Sequence, residues 1–263
     1  MLTHQGFSAW IVSEGKRLET FKPEIEDLEE GEDKVMSGWT PSEAGKKFSV
    51  HWRDNKGGME TVGCLFIDGS PAGEGAIDGR TWKSQSLPGH FVSEDEFRPF
   101  QFSKLQVTND ESAGTAPSDE LGEIILIIRR CIIGGPSSFK QESFGEQGPV
   151  HEKAKKGHFH QITLADSKEL SCHKPWHTWR PYSEEDAKAP LVFFVFNYRP
   201  WDLLQKEGVT PRRSLRHRIK AEPNPHRVLD EAEVVIKRED EEPVGETGIR
   251  AESSPNRVLE QGG

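Results

Sequence analysis

Two histidines, His158 and His160, stand two residues apart in a stretch predicted as a strand, which places both side chains on one face. Asp166, Cys172, His173 and His177 follow shortly after. Imidazole, thiolate and carboxylate are the donors that zinc takes, but zinc-finger spacing is missing. Both histidines also continue the parity of Ile162 and Leu164, so the plainer reading puts them at the rim of a core face. The sequence assigns no metal; His158 and His160 are the candidates it offers.

Trp176 and Trp179 flank His177 in a stretch bounded by Pro175 and Pro181, read as a loop. Exposed indoles stack on sugar rings, so these two are the glycan-binding candidates. The competing reading is a loop packed onto the domain. Nucleophilic catalysis finds no Gly-x-Ser-x-Gly elbow. Cys64 and Cys131 lie in apolar runs and read as small core residues, and adjacent Cys172 and His173 would point to opposite faces of a strand. The Gly-rich stretch 69–79, read as a loop, lacks the Gly-Lys-Ser/Thr ending of a phosphate-binding loop. With 44 Asp and Glu, any choice of an acid pair is arbitrary. No catalytic residue, cofactor-binding residue or cofactor is predicted.

The C-terminal part carries short motifs. Ile236-Lys237-Arg238-Glu239 and Ile219-Lys220-Ala221-Glu222 fit the apolar-Lys-x-Glu pattern of sumoylation, which makes Lys237 and Lys220 the candidate modification sites. The second pattern recurs around Ile249 with Arg250 in place of the lysine, and Pro225-His226-Arg227-Val228-Leu229 recurs as Pro255-Asn256-Arg257-Val258-Leu259. Residues 212–220 form a basic block with the character of a nuclear import signal or of a solvated linker.

The positioning elements are read from composition and periodicity. Of 263 residues, 33% are hydrophobic, and no Phe or Trp follows Trp201. That contrast predicts a folded domain over 1–207 and a disordered charged tail over 208–263. A net charge of -10 argues against nucleic acid and membrane surface as partners. Three widely spaced cysteines, no Asn-x-Ser/Thr and no basic-then-apolar leader predict an intracellular protein, nuclear or cytoplasmic and not secreted.

Short β-rich runs broken by turn residues predict a mostly β, antiparallel sandwich-like single domain with few short helices. Residues 7–12 form the first strand, and Glu14-Gly15 turns it into a hairpin. Phe48, Val50 and Trp52 alternate with Ser49, His51 and Arg53, the pattern of a half-buried strand. Residues 61–67 follow and stop at Asp68-Gly69. A parity change at Ser103-Lys104 predicts a bulge or bend. Residues 124–128 and 191–196 are apolar on both faces, as in central strands under loops or a helix. A short helix is predicted over 201–207, ended by Gly208, and a helical turn over 150–156.

Four blocks carry a resemblance. They are residues 39–54, from Trp39-Thr40-Pro41 to His51-Trp52-Arg53-Asp54; residues 97–105, from Phe97-Arg98-Pro99 to Lys104-Leu105; residues 150–157, opening Val150-His151-Glu152; and residues 190–204, from Pro190-Leu191-Val192 to Trp201-Asp202-Leu203-Leu204. In order and spacing the chain resembles a fungal domain family of unknown function, abundant in mushroom-forming species, over roughly residues 5–210. The resemblance implies a domain boundary and no activity. Residues 35–39 read as a strand ended by Thr40-Pro41; Gly38 departs from the family pattern, and a glycine in a strand interior weakens that reading.

A motif-poor folded part with a motif-bearing tail leads to the expectation of a non-enzymatic module binding an unknown protein partner. A lectin-like glycan binder is the alternative, and a metal-dependent enzyme using the His-x-His strand is the third reading.

Overall fold

A computed structural model describes residues 1–27, 34–81, 83–110, 117–140, 142–155, 157–170 and 176–211. Cys172, His173, Lys220, Lys237, the basic block and the duplicated motif lie outside the described residues. The described residues lie in one compact unit.

Its strands are β1 (Leu2–His4), β2 (Phe7–Ser13), β3 (Lys16–Arg17), β4 (Phe21–Asp27), β5 (Lys34–Ser42), β6 (Lys47–Asp54), β7 (Thr61–Ile67), β8 (Ser70–Ile77), β9 (Ser84–Leu87) and β10 (Gly89–Phe91). They continue with β11 (Glu96–Lys104), β12 (Val107–Thr108), β13 (Glu123–Pro136), β14 (Val150–His151), β15 (His160–Leu164), β16 (Lys168–Glu169), β17 (His177–Pro181) and β18 (Val192–Pro200). The helices α1 (Glu184–Lys188) and α2 (Trp201–Lys206) are short. The fold is mostly β, and no described helix is long and apolar enough to cross a membrane.

Among the described residues the strands make two large sheets and a small β12–β14 pair. The first runs β1-β2-β6-β11-β10, with β3, β9, β15 and β16 paired along it. The second runs β4-β5-β18-β13-β7-β8, with β17 on β13. Pairing is antiparallel except at β5–β18 and β12–β14. The two apolar runs, in β13 and β18, are neighbours at the centre of the second sheet.

Three tight hairpins follow from X-Gly pairs with positive φ at both residues: Gln5-Gly6, Glu14-Gly15 and Asp68-Gly69. Such turns match the twist of the flanking strands. The core lies between the sheets. Phe48, Val50 and Trp52 point inward from β6, facing Leu65 and Ile67 from β7 and Leu126 and Phe194 from the centre of the second sheet. Trp52 is fully buried and lies flat on two paired glycines, Gly63 of β7 and Gly75 of β8.

Those glycines explain one correction. Residues 69–79, read as a Gly-rich loop, include strand β8, whose Gly75 gives Trp52 room. The strand read over 35–39 is present as part of β5, an interior strand of its sheet, and Gly38 sits inside it. A Cβ there would lie 2.7 Å from Thr20 Cγ2 and 3.1 Å from Leu2 Cδ2, so the close approach of the chain calls for glycine. The parity change near Ser103 is no bulge: β11 ends at Lys104, and Leu105 then bonds to Phe159. Helix α1 is capped by Ser183, whose side chain accepts from the Asp186 N–H.

Two polar ties join the sheets. Asp68, in the β7–β8 turn, accepts from the N–H groups of Gly122 and Ile162 at 2.9 and 3.0 Å and from the Tyr198 hydroxyl at 2.7 Å. Ile162 belongs to β15 of the other sheet, so one carboxyl spans the sandwich. Ser42, ending β5, meets His160, opening β15, with Oγ and Nδ1 2.7 Å apart.

Candidate functional site

His158 and His160 are both half-buried, on either side of exposed Phe159. β15 begins at His160, and His158 precedes it, one residue after the positive-φ Gly157. The glycine opens a turn that is closed by His158 N–H on the Lys155 carbonyl. His160 is engaged by Ser42, and burial, then Lys104, pull its pKa below the ordinary value. Among the described residues, no group of three His, Cys, Asp or Glu is placed to hold a metal ion. The Ser42–His160 contact has the look of a nucleophile–base pair, which sequence reasoning missed. Ser42 is only 5% exposed, however, so the contact serves as a tie between sheets.

The two described thiols are poor nucleophiles. Burial, then the carboxylate of Glu74, pushes Cys64 up to about 11. Burial, then Glu60, pushes Cys131 up to about 12. Thiolate is the reactive form, and little of it exists at neutral pH under those conditions.

Trp176 and Trp179 do come together, at a cleft of about 250 Å³ where β8, β10, β17 and the segment after β13 meet. Trp179 lies in β17 and Trp176 just before it, so the pair stands on a strand and its approach, whereas a loop was expected. The strand forms because β17 pairs with the second half of β13, Trp179 opposite Ile133. Phe91 of β10 meets Trp176 edge-on at 5.1 Å and 88°, and Phe139 meets it at 5.2 Å and 58°. Trp176 is therefore a wall of an aromatic corner packed against the core, and its indole N–H is buried with no partner among the described residues. The Trp179 indole N–H donates to Glu74 at 2.8 Å. Crowding by protein, then repulsion from Glu142, raises the Glu74 carboxyl, although the side chain still reaches solvent. Buried His90 pins the segment after β13: its Nε2 lies 2.8 Å from the Glu142 carbonyl and its Nδ1 3.2 Å from that of Ala72. Phe91, Phe139, Glu74 and His90 carried no sequence signal, because four separate stretches of chain supply the cleft.

A second surface lies on the outer face of the second sheet, the side turned away from the core. Ile127 pairs with Cys64 on one side and Phe193 on the other; Ile125 pairs likewise with Phe66 and Val195. Paired residues share a face, so these six side chains form two apolar rows across β7, β13 and β18. All six are partly exposed, whereas their inward neighbours Leu65, Ile124, Leu126, Phe194 and Phe196 are buried. Carboxylates border the rows. Glu123 continues the outer side of β13, and burial, then Glu120, Asp68 and Glu26, raises its pKa. Glu74 pairs with Cys64 at the other edge, so this face runs out to the aromatic cleft.

Residues 6–213 match the model of a family described as a domain of unknown function, DUF7918. No curated protein and no solved structure matches the chain.

Proposed function

For a chain that belongs to the DUF7918 family, a domain of unknown function, we propose a non-enzymatic binding module that docks a protein partner on the outer face of its second sheet. The observation that supports this most is the pair of apolar rows, Cys64, Ile127, Phe193 and Phe66, Ile125, Val195, left partly exposed at the sheet centre. A contiguous apolar patch on a folded domain marks an interaction surface. The border selects the partner's chemistry. Glu123 sits among Glu120, Asp68 and Glu26, and Glu74 beside Glu142, so like charges crowd both edges. Arg129 is the cation on the same side of β13, and it is turned to the Ala187 carbonyl. The partner that fits is a segment with an apolar centre and basic flanks. The raised Cys64 and Cys131 thiols agree with a role without covalent catalysis. Lys220 and Lys237 take no part in this reading.

The double substitution Ile127→Thr with Val195→Thr keeps β-branched side chains and removes apolar surface from the middle of the face. Because neither residue packs in the core, thermal stability should change by about 1 kcal/mol or less. Partner affinity should fall at least about ten-fold, since residues at the centre of an interface carry most of its energy. Quantitative mass spectrometry of proteins co-purifying with wild type and variant reads this out. Unchanged recovery of every companion protein with the variant would retire the proposal.

A further inference from the structure

We propose that the aromatic cleft receives a cationic, alkyl-bearing group: the ammonium end of a lysine side chain, free or methylated, presented by a partner polypeptide. This rests on the reading of the domain as a protein-binding module, and it adds a second contact where the apolar face ends at Glu74.

Three observations carry it. The first is the wall. Phe91 and Phe139 stand at 88° and 58° to Trp176, so the rings form a corner and not a flat platform. Ring faces carry partial negative charge and attract a cation within about 6 Å of their centres. The second is the pair of carboxylates. Glu74 and Glu142 both line the cleft, and neither is ion-paired to a described residue. Burial, then repulsion from Glu142, disfavours the Glu74 charge, and a cation entering between rings and carboxylates offsets both. Glu74 is also held in place by Trp179 at 2.8 Å, so its orientation is set before any ligand arrives. The third is size. At about 250 Å³ the cleft falls below the usual range for whole small molecules, and it suits the end of one side chain. A sugar is less well served, because Trp176 has its ring engaged by two phenylalanines and its N–H buried. Lys140, exposed in the lining, opposes a cation, so its removal should help binding.

The test uses the full chain labelled with ¹⁵N and followed at the indole N–H resonances of Trp176 and Trp179, assigned with Trp176→Phe and Trp179→Phe. The probes are Nα-acetyl-Nε-trimethyllysine methylamide, its unmethylated lysine counterpart, the neutral isostere with a tert-butyl end, and a panel of monosaccharides. The trimethylated or free lysine probe should give saturable shifts, about ten-fold tighter than the neutral isostere. Glu74→Gln with Glu142→Gln should erase that preference, and Lys140→Ala should tighten binding. Equal affinity for the neutral isostere overturns the cation assignment, as do shifts produced by sugars alone. Silence from every probe at tens of millimolar also overturns it. None of these outcomes bears on the Ile127→Thr, Val195→Thr experiment, so failure of the cleft and failure of the docking face are told apart.

Discussion

Asp68→Ala is expected to lower the unfolding free energy by about 3–5 kcal/mol, measured by urea denaturation at pH 7. Asp68 is 7% exposed and accepts from two backbone N–H groups and the Tyr198 hydroxyl. Alanine leaves the buried Ile162 N–H and Tyr198 hydroxyl and the part-buried Gly122 N–H without this acceptor, and each buried group so left costs about 1–3 kcal/mol. It also places a residue without a polar side chain at φ 51°, a region that aspartate and asparagine tolerate better. Asp68→Asn keeps the turn but offers one acceptor oxygen where the carboxylate offers two, so it should fall between wild type and alanine. The pH dependence has an unusual sign. Burial raises the Asp68 carboxyl to about 6 from 3.8, and the hydrogen bonds from Tyr198, Gly122 and Ile162 offset only part of that. The folded state then holds its proton more tightly than the unfolded chain does. This group's stabilising contribution is full below about pH 4 and is lost as pH rises through about 6, by roughly 3 kcal/mol in all. The difference in stability between wild type and Asp68→Asn should carry that slope between pH 4 and 6. A difference that stays flat with pH would refute the ionisation argument while leaving the hydrogen-bond argument to the alanine variant.

Gly63→Ala should destabilise the domain by about 1–3 kcal/mol, although alanine is ordinarily the better strand residue. A Cβ at Gly63 would stand 2.7–2.9 Å from Cε2, Cζ2 and Nε1 of Trp52. Trp52 has no room to retreat, since it is fully buried and β6 is paired to β2, β9 and β11. Two variants separate overpacking from a general dislike of the substitution. Gly135→Ala, where a Cβ meets nothing within 4 Å, should be neutral or slightly stabilising. Adding Trp52→Phe to Gly63→Ala should cost less than the sum of the two single changes, because the smaller ring frees the space the methyl needs. Full additivity would mean that the indole is not what the methyl strikes.

The parts of this fold that were legible in the sequence are those decided locally. Alternation of Phe48, Val50 and Trp52 located β6 and its buried face, and Glu14-Gly15 located one of the hairpins. Loss of alternation in 124–128 and 191–196 correctly indicated central strands. Their outer side stays partly exposed, and that is where the apolar rows lie. What could not be read was decided by distant chain. Gly38 and Gly75 look like strand breakers until Thr20, Leu2 and Trp52 are brought against them. His160 opens β15, and its tie to Ser42, 118 residues away, has no local signal. Trp176 and Trp179 were identifiable as a pair, but Phe91, Phe139 and Glu74, which turn them into a cleft, arrive from three other segments. The parallel pairing of β5 with β18 joins stretches far apart in sequence, and no local pattern announces it.

The most direct test of the docking face is photo-crosslinking from defined positions. p-Benzoylphenylalanine would be placed singly at Ile127, at Val195 and, as a control on the outer side of the first sheet, at Ser86, in cells that make the full chain. Positions 127 and 195 should yield the same discrete adduct, absent from position 86, with the crosslinked peptide apolar at its centre and rich in Lys and Arg around it. No adduct at 127 and 195, or adducts only to a second copy of the chain, would contradict the assignment of this face to a separate protein partner.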